Sequence, residues 1–440
     1  MFGISHRKSG AATPTMERQP QPFLRIYASE FHSRDAELAR DLSQLIPEGR
    51  SCQMCSAAEL AAQMPPPNSE FVLSLLLAPN LLDGLADAVL AARAAGQPTT
   101  LIIAVTHAQL TALGQWLHQR ANADRLAGLR LILAPNAESA IRQLPMRLSN
   151  PGDSNLIRMP LSTEVENSPM RNFYVFSPEL HALVRRIRAY AENGIHRTYL
   201  LGGPGSGKTS LSYLYYLVRN RGRFVSVNLA AENTGDKAAV KSLLCGHVSG
   251  AFPGAGSRTG AFSHARDGVC FIDESHGITG PVMEVLMEAF DAGQYLPFGA
   301  SAKQPLECAI VFATNRSWET LQNSVNIDEF TRIGAATLSV PELYKREEDM
   351  IAVVATTLAR FAEKCTTWAQ PKGLSEDAWQ RVRTCRWHGN IRALVRVLES
   401  AFVDYGVRGG DTLIQGEEIE AGIKLWEPAT HHSHQIYAVA

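Results

Sequence analysis

The stretch that decides the fold reads Gly202-Gly203-Pro204-Gly205-Ser206-Gly207-Lys208-Thr209. An apolar run, Thr198–Leu201, precedes it and an apolar-periodic run follows it, so the sequence predicts a strand, a loop and a helix in that order. The glycines let backbone N–H groups wrap phosphate oxygens, and the N-terminus of the helix adds positive potential. Lys208 can reach the β- and γ-phosphates, and the Thr209 hydroxyl can bind Mg²⁺. All eight residues are therefore predicted to bind ATP with Mg²⁺.

A second element of the predicted site is an apolar strand that ends in two carboxylates, Val269-Cys270-Phe271-Ile272-Asp273-Glu274. Its C-terminal end should lie beside the phosphates. We expect Asp273 to hold Mg²⁺ through water and Glu274 to polarise the attacking water as a general base.

The block from Leu243 to Glu274 resembles the AAA+ domain of bacterial activators of sigma-54 RNA polymerase. In that family a Gly-Ala-Phe-Thr-Gly-Ala loop touches the sigma factor, and residues 250–255 here read Gly-Ala-Phe-Pro-Gly-Ala. Glycines on both sides permit an exposed loop whose tip, Phe252, is suited to anchor another protein. Pro253 replaces the threonine, which removes a hydroxyl and a backbone N–H and fixes φ.

The same resemblance implies roles for further residues. Asn228, on the strand before the acidic pair, matches the asparagine that restrains the general base. Thr314 and Asn315 match the segment called sensor I, and Arg392 in Trp387-His388-Gly389-Asn390-Ile391-Arg392 matches sensor II. Arg332 matches an arginine finger that acts on ATP bound to the neighbouring subunit, because a planar, permanent cation stabilises charge on the γ-phosphoryl group.

Ahead of the ATPase block, short apolar runs alternate with helix-like stretches, which predicts parallel strands with crossover helices in a flavodoxin-type or receiver-like domain. The apolar runs are Leu24–Ala28, Phe71–Leu77, Thr100–Val105 and Leu129–Leu133, and the helix-like stretches are Asp35–Ile46, Leu81–Ala95, Thr106–Ala121 and Ala137–Leu148. The third strand ends in Leu75-Leu76-Leu77-Ala78-Pro79-Asn80 without an aspartate, and no lysine follows Ala134-Pro135. We therefore expect a degenerate receiver that takes no phosphate. The predicted divisions are a disordered 1–22, this α/β domain at 23–148, a linker at 149–172, the AAA+ subdomain at 173–345, a helical lid at 346–426 and a tail at 427–440.

Composition sets further limits. The 440 residues carry a formal charge of −1, so no global basic field attracts nucleic acid or an anionic membrane. The longest apolar runs, Phe71–Leu77 and Thr100–Val105, are shorter than the ~20 residues of a membrane span, and we expect a cytoplasmic protein. Seven cysteines indicate reduced thiols. Cys52 and Cys55 fit a partly buried strand edge, with a metal or redox role as the alternative.

The predicted fold is thus an α/β P-loop AAA+ ATPase domain with a helical lid behind a flavodoxin/receiver-like domain. The resemblance implies an ATP-hydrolysing, homo-oligomeric ring, expected to be a hexamer, that remodels the sigma-54 RNA polymerase holoenzyme. We expect no DNA-binding domain after the lid, because no helix-turn-helix fits after Trp426. Two alternatives remain: a relative that remodels another protein, favoured by Pro253, and a non-hydrolysing module that uses ATP to assemble, favoured by Asn326 where the family has a second arginine.

Overall fold

The computed structural model of the protein describes most of the chain. The described residues are 22–29, 42, 46–56, 69–152, 154–162, 167–229, 236–275, 278, 280–316, 336–410 and 412–428. Within these ranges, no helix is long and apolar enough to cross a membrane.

The N-terminal sheet has five parallel strands in the order β2-β1-β3-β4-β5, which is the flavodoxin-type order. The predicted runs were right, except that the third strand ends at Leu75, because Leu76 adopts a left-handed conformation with φ of 54°. Cys52 is half-buried and Cys55 buried on the edge strand, as expected for a strand edge. The strands are β1 (Leu24–Ala28), β2 (Cys52–Ser56), β3 (Phe71–Leu75), β4 (Thr100–Val105) and β5 (Leu129–Leu133).

Three described helices flank this sheet. They are α1 (Leu82–Ala94), α2 (Leu110–Asn122) and α3 (Ala137–Gln143). The stretch from Thr106 opens with a short 3-10 turn, His107–Gln109, before α2 begins, and Thr106 with Gln109 forms a capping box around it. The predicted helix at 35–46 lies almost wholly outside the described residues.

A hairpin occupies part of the segment predicted as a linker. Strands β6 (Leu156–Pro160) and β7 (Met170–Tyr174) pair antiparallel. Asn155, fully buried, joins the hairpin to the first sheet, since its side-chain oxygen accepts from the Leu129 N–H (2.9 Å) and its amide donates to the Leu129 carbonyl (3.0 Å). The segment is therefore a structured bridge rather than a simple spacer.

The second sheet is also parallel, with the order β16-β8-β15-β12-β9. The carboxyl ends of its strands meet at one edge, where ligands bind in open α/β sheets. Its strands are β8 (Arg197–Leu201), β9 (Phe224–Asn228), β12 (Val269–Asp273), β15 (Ala309–Thr314) and β16 (Ala336–Ser339). The elements around it are α4 (Pro178–Glu192), α5 (Lys208–Arg219), α6 (Lys237–Cys245), α7 (Ala261–His264), α8 (Gly280–Ala292), and the short strands β10 (Gly246–His247), β11 (Arg258–Thr259), β13 (Gln294–Tyr295) and β14 (Gln304–Pro305).

The lid packs against the N-terminal domain and also contacts the phosphate loop. Its elements are α9 (Glu347–Lys364), β17 (Gly373–Leu374), α10 (Glu376–Thr384), α11 (Asn390–Val407), β18 (Leu413–Ile414) and α12 (Gly416–Trp426). Helix α9 is buried along most of its length, because α2 covers one side and the other lid helices cover another. One hydrophobic core accordingly contains residues of both the N-terminal domain and the lid.

Gly114 sets the approach of α2 to α9. A Cβ atom at this position would lie 1.9 Å from the Ala355 carbonyl oxygen, so the two backbones are closer than any side chain permits. We expect Gly114→Ala to force the helices apart and to lower the free energy of unfolding by about 1–3 kcal/mol, as overpacking does.

Urea denaturation of the full chain measures this loss, and Gly280→Ala is the control. Nothing lies within 4 Å of a Cβ at Gly280, so its substitution should change stability by no more than about 0.5 kcal/mol. Equal stability of the two variants would contradict the close packing of α2 on α9.

Candidate nucleotide site and partner loop

The predicted phosphate loop connects β8 to α5, and on its outer side the lid and the β6–β7 hairpin contact it. Gly205 and Gly207 have φ of +69° and +105°, which favour glycine. A Cβ at Gly205 would lie 2.4 Å from the Gly389 carbonyl oxygen, and one at Gly207 would lie 2.2 Å from the Phe173 ring. The loop is therefore a cradle that only glycine can build, and the chemistry of its backbone suits a chain of phosphates.

Lys208 lies at the centre of a group of charges. Its side chain is buried, and Nζ donates to the carbonyls of Gly202 (2.9 Å) and Gly203 (3.1 Å). Burial lowers the pKa of Lys208, and Arg392 lowers it further, whereas the carboxylates of Asp273 and Glu274 raise it. Arg392 of the lid also approaches the loop, since a Cβ at Gly205 would lie 2.9 Å from the Arg392 Cβ, so α5 and the lid meet at the edge where β12 ends.

The acidic pair stands at the end of β12. The Asp273 carboxylate accepts a hydrogen bond from the Glu274 N–H (2.8 Å), and Glu274 itself has a left-handed φ of 50°. A residue other than glycine held there costs roughly 1–3 kcal/mol, and such strain clusters at functional sites. Asn228 is the register partner of Asp273 on the neighbouring strand, β9. Asn228 therefore lies at the same level of the sheet as Asp273.

The segments matched to sensor I and sensor II also reach this edge. Thr314 is fully buried, and its hydroxyl accepts from the Arg316 N–H (3.2 Å), which leaves Asn315 as the exposed member of the pair. Arg392 lies in the first turn of α11, close to the phosphate loop. A Cβ added at Gly205 would lie 3.1 Å from the Arg392 backbone nitrogen. Arg332 and Asn326 lie outside the described residues.

Two contacts of the loop were not predicted as site features. Asn390, which is buried, donates from its side-chain amide to the Pro204 carbonyl (3.1 Å) and accepts from the Leu343 N–H (2.8 Å). Phe173 of β7 packs on Gly207. The apolar run at 173–176 was the sequence signal for the second contact, and it was missed because the preceding residues read as a linker.

The donor set suits Mg²⁺ bound mainly by phosphates. Among the described residues, no group of three or more His, Cys, Asp or Glu side chains could form a metal cage. Mg²⁺ usually keeps several waters and takes one or two protein oxygens together with substrate phosphates. The Thr209 hydroxyl, at the start of α5, and the Asp273 carboxylate are of the right chemical type for that role.

The loop at 250–255 stands on a short antiparallel stem made by β10 and β11. At its tip the Ala255 N–H donates to the Phe252 carbonyl (2.9 Å), and Gly254 has φ of +79°. Proline at the second position and a glycine of positive φ at the third are the features of a type II turn. Pro253 therefore fits the backbone of this loop.

Phe252 lies over a groove beside the stem. Its side chain is 42% exposed, and its ring centroid is 5.0 Å from that of His247 and 6.2 Å from that of Phe298. The segment between β13 and β14 supports the stem, since the Phe298 N–H donates to the Gly246 carbonyl (2.8 Å). The groove measures ≈ 500 Å³ and is bounded by α6. Phe252 is thus an exposed aromatic on a supported platform.

Comparison with known protein families matches two consecutive parts of the chain. Residues 174–339 match the sigma-54 interaction domain, and residues 344–434 match the AAA+ ATPase lid domain. Together they account for the second sheet and the lid helices.

Individual relatives agree with this assignment. The DNA-binding transcriptional regulator NtrC of Azospirillum brasilense is 31% identical over 201 residues, which cover 44% of this chain and 40% of the relative. The alginate biosynthesis regulator AlgB of Pseudomonas syringae pv. tomato is 29% identical over 279 residues, 62% of this chain and 58% of the relative. The chain spans about half the length of the curated relatives it matches.

A solved structure, that of NtrX from Brucella abortus, is also similar. The likeness has a TM-score of 0.49 at 20% identity and covers 91% of this chain and 85% of that one.

We expect Pro253→Thr to loosen the turn at the tip of the loop at 250–255. Proline at a compatible position stabilises a turn by about 0.4–1 kcal/mol, so threonine should speed hydrogen exchange of the Ala255 amide about two- to fivefold. Hydrogen exchange by NMR on the full chain measures it.

The Phe298 amide, which bonds to the stem rather than to the tip, serves as the internal control and should keep its rate. Unchanged exchange at Ala255 would show that Pro253 does not hold the turn.

Proposed function

We propose that this chain, a member of the AAA+ family of sigma-54-dependent transcriptional activators, hydrolyses ATP in a homo-oligomeric ring. It uses the hydrolysis cycle to remodel sigma-54 RNA polymerase holoenzyme. The observation that carries the proposal is the convergence of Lys208, Asp273, Glu274 and Arg392 around a glycine cradle, on the same domain as an exposed Phe252 loop.

Each residue at the sheet edge has its own role in hydrolysis. The cradle from Gly202 to Gly207 binds the phosphates through backbone N–H groups, and Lys208 neutralises their charge. Thr209 and Asp273 hold Mg²⁺, which when bound offsets negative charge on the phosphates. Glu274 takes a proton from the attacking water, with Asn228 beside it as its restraint. Asn315 and Arg392 contact the nucleotide, and Arg332 acts in the neighbouring subunit's site.

The loop at 250–255 transmits the result to the partner. Phe252 supplies a large apolar side chain that is already partly exposed, and aromatic anchors of this kind dominate protein interfaces. The support of the stem by the segment around Phe298 favours a loop that moves as a unit with the sheet rather than one that hangs loosely. Sigma-54 is the proposed target. Another protein is the second candidate, and Pro253 in place of the family threonine favours it.

The catalytic part of the proposal is tested by ATP turnover of Glu274→Gln. Removing a general base costs about 10²–10⁴-fold in rate, so turnover should fall by at least about 100-fold while binding of a fluorescent ATP analogue is retained. Glu284→Gln, an exposed carboxylate on α8, is the control and should keep the wild-type rate.

Turnover should also rise more steeply than protein concentration if the site forms between subunits. Wild-type protein that binds the analogue without turnover would favour the non-hydrolysing assembly module. Equal rates in wild type and Glu274→Gln would remove Glu274 from the mechanism.

The partner is tested by pulldown of purified sigma-54 with an ATP transition-state analogue. We expect wild type to retain sigma-54 and Phe252→Ala to retain at least tenfold less, since removing an interface anchor costs about 2 kcal/mol or more. Leu217→Ala on α5 is matched in exposure, 42% in both residues, and should bind as wild type does.

Open-complex formation on a melted-promoter template with sigma-54 holoenzyme completes the test. Turnover without sigma-54 binding or open complexes would direct the search to a different protein partner. Equal retention of sigma-54 by wild type and by Phe252→Ala would contradict the loop as the contact.

A further inference from the structure

The first residues of the lid form a charged turn, Arg346-Glu347-Glu348-Asp349, whose side chains reach several parts of the protein. Arg346, Glu348 and Asp349 are each no more than 2% exposed. Burying so many charges is unfavourable unless each is paired or hydrogen-bonded. The partners of these side chains therefore show which parts of the protein the turn connects.

Arg346 reaches the phosphate loop. Its Nη2 donates to the Ser206 carbonyl (3.3 Å). Burial lowers the pKa of Arg346, and the charges of Asp349 and Glu179 oppose that effect. Its Nε and Nη1, and the Ser206 hydroxyl, have no hydrogen-bond partner within the described part of the chain. Arg346 therefore contacts the backbone of the phosphate loop and can position it.

Glu348 reaches the N-terminal domain. Its carboxylate accepts from Arg130 Nη2 (2.6 Å) and Nε (2.9 Å) and from the Leu131 N–H of β5 (2.9 Å). Arg130 is fully buried as well. Glu347, next to it, pairs with Arg147 (3.4 Å) from the same domain. The turn is thus tied to the last strand of the first sheet and to the residues that follow α3.

Asp349 reaches the start of the ATPase subdomain. Its carboxylate accepts from the Phe176 N–H (2.6 Å) and the Ser177 N–H (3.3 Å), at the entrance to α4. Burial raises the pKa of Asp349 to about 6, and Arg346 opposes that rise. Residues 346–349 therefore join the phosphate loop, the entrance to α4 and the N-terminal sheet within one turn of helix.

We propose that residues 346–349 couple the N-terminal domain to nucleotide binding: the Arg130–Glu348 pair fixes the lid, and Arg346 on the Ser206 carbonyl passes that position to the phosphate loop. The inference rests on the proposed ATP site. Arg346 and Glu348 are positioning residues in this scheme. The docked N-terminal domain keeps the lid against the loop and slows release of nucleotide.

The experiment measures the Kd and release rate of a fluorescent ATP analogue on the full chain. Arg130→Met with Glu348→Gln removes both charges together, and glutamine keeps an acceptor for the Leu131 N–H. Arg147, which also lies 3.4 Å from Glu348, keeps Glu347 as its partner, so no buried ion is left uncompensated. We expect Kd to rise about tenfold, within the range of about 5- to 150-fold typical of coupling between sites. The control is Arg142→Met with Glu138→Gln, the same substitutions in an exposed pair on α3, which should leave Kd unchanged.

Arg346→Lys, which keeps the charge but loses the planar fork, supplies the second arm. It should raise Kd while leaving the Arg130–Glu348 pair in place. Combining it with the Arg130→Met/Glu348→Gln pair should add little, because interactions in one chain of contacts are not additive. Thermal unfolding of each variant confirms that the nucleotide effect occurs in folded protein.

The outcomes are distinct. Unchanged Kd in a folded double variant, or effects that add fully when the arms are combined, overturns the coupling. Tighter binding in the double variant overturns its direction. Wild-type protein that binds the analogue but turns over no ATP refutes the proposed hydrolysis and leaves the coupling measurable, since Kd does not depend on turnover.

Discussion

Much of this structure depends on the burial of helix α9 between two domains. Most residues of α9 are buried, and α2 of the N-terminal domain and the other lid helices provide the cover. The Arg130–Glu348 pair adds little net stability once desolvation is counted. Its contribution is to fix the register of the contact, because a shifted interface would leave either charge buried alone. The N-terminal domain is therefore part of the lid's core rather than a separate appendage.

The sequence predicted the local elements well and the contacts between them poorly. Alternating apolar runs located β1, β4 and β5, and the glycine pattern located the phosphate loop, because both signals are set by neighbouring residues. Arg130 and Glu348 are 218 positions apart, and each alone reads as an ordinary surface charge. The hairpin at β6 and β7 was missed for a related reason, since its Pro, Ser and Asn content is typical of a linker and its stability comes from packing on Gly207 and α5.

The loop at 250–255 shows how a departure from a family pattern can be neutral for one property and costly for another. Pro253 cannot supply a threonine hydroxyl, yet its fixed φ matches the turn closed by Phe252 and Ala255. A loop that is ordered before it meets its target loses less conformational freedom on binding. The substitution thus exchanges a hydrogen-bonding group for preorganisation. Whether that exchange favours a given target depends on whether the target reads the apolar tip at Phe252 or the hydroxyl beside it.

The glycines of the phosphate loop are required for two separate reasons. On the inner side, the proposed nucleotide site requires their backbone to approach phosphate oxygens. On the outer side, Gly205 lies against the Gly389 carbonyl of the lid, and Gly207 lies against the Phe173 ring of the hairpin. A side chain at either position would push away a different neighbour, whether or not nucleotide is bound. The loop is consequently the place where the hairpin, the lid and the ATPase sheet all meet, so a movement of the lid or the hairpin would displace the backbone that we propose binds the phosphates.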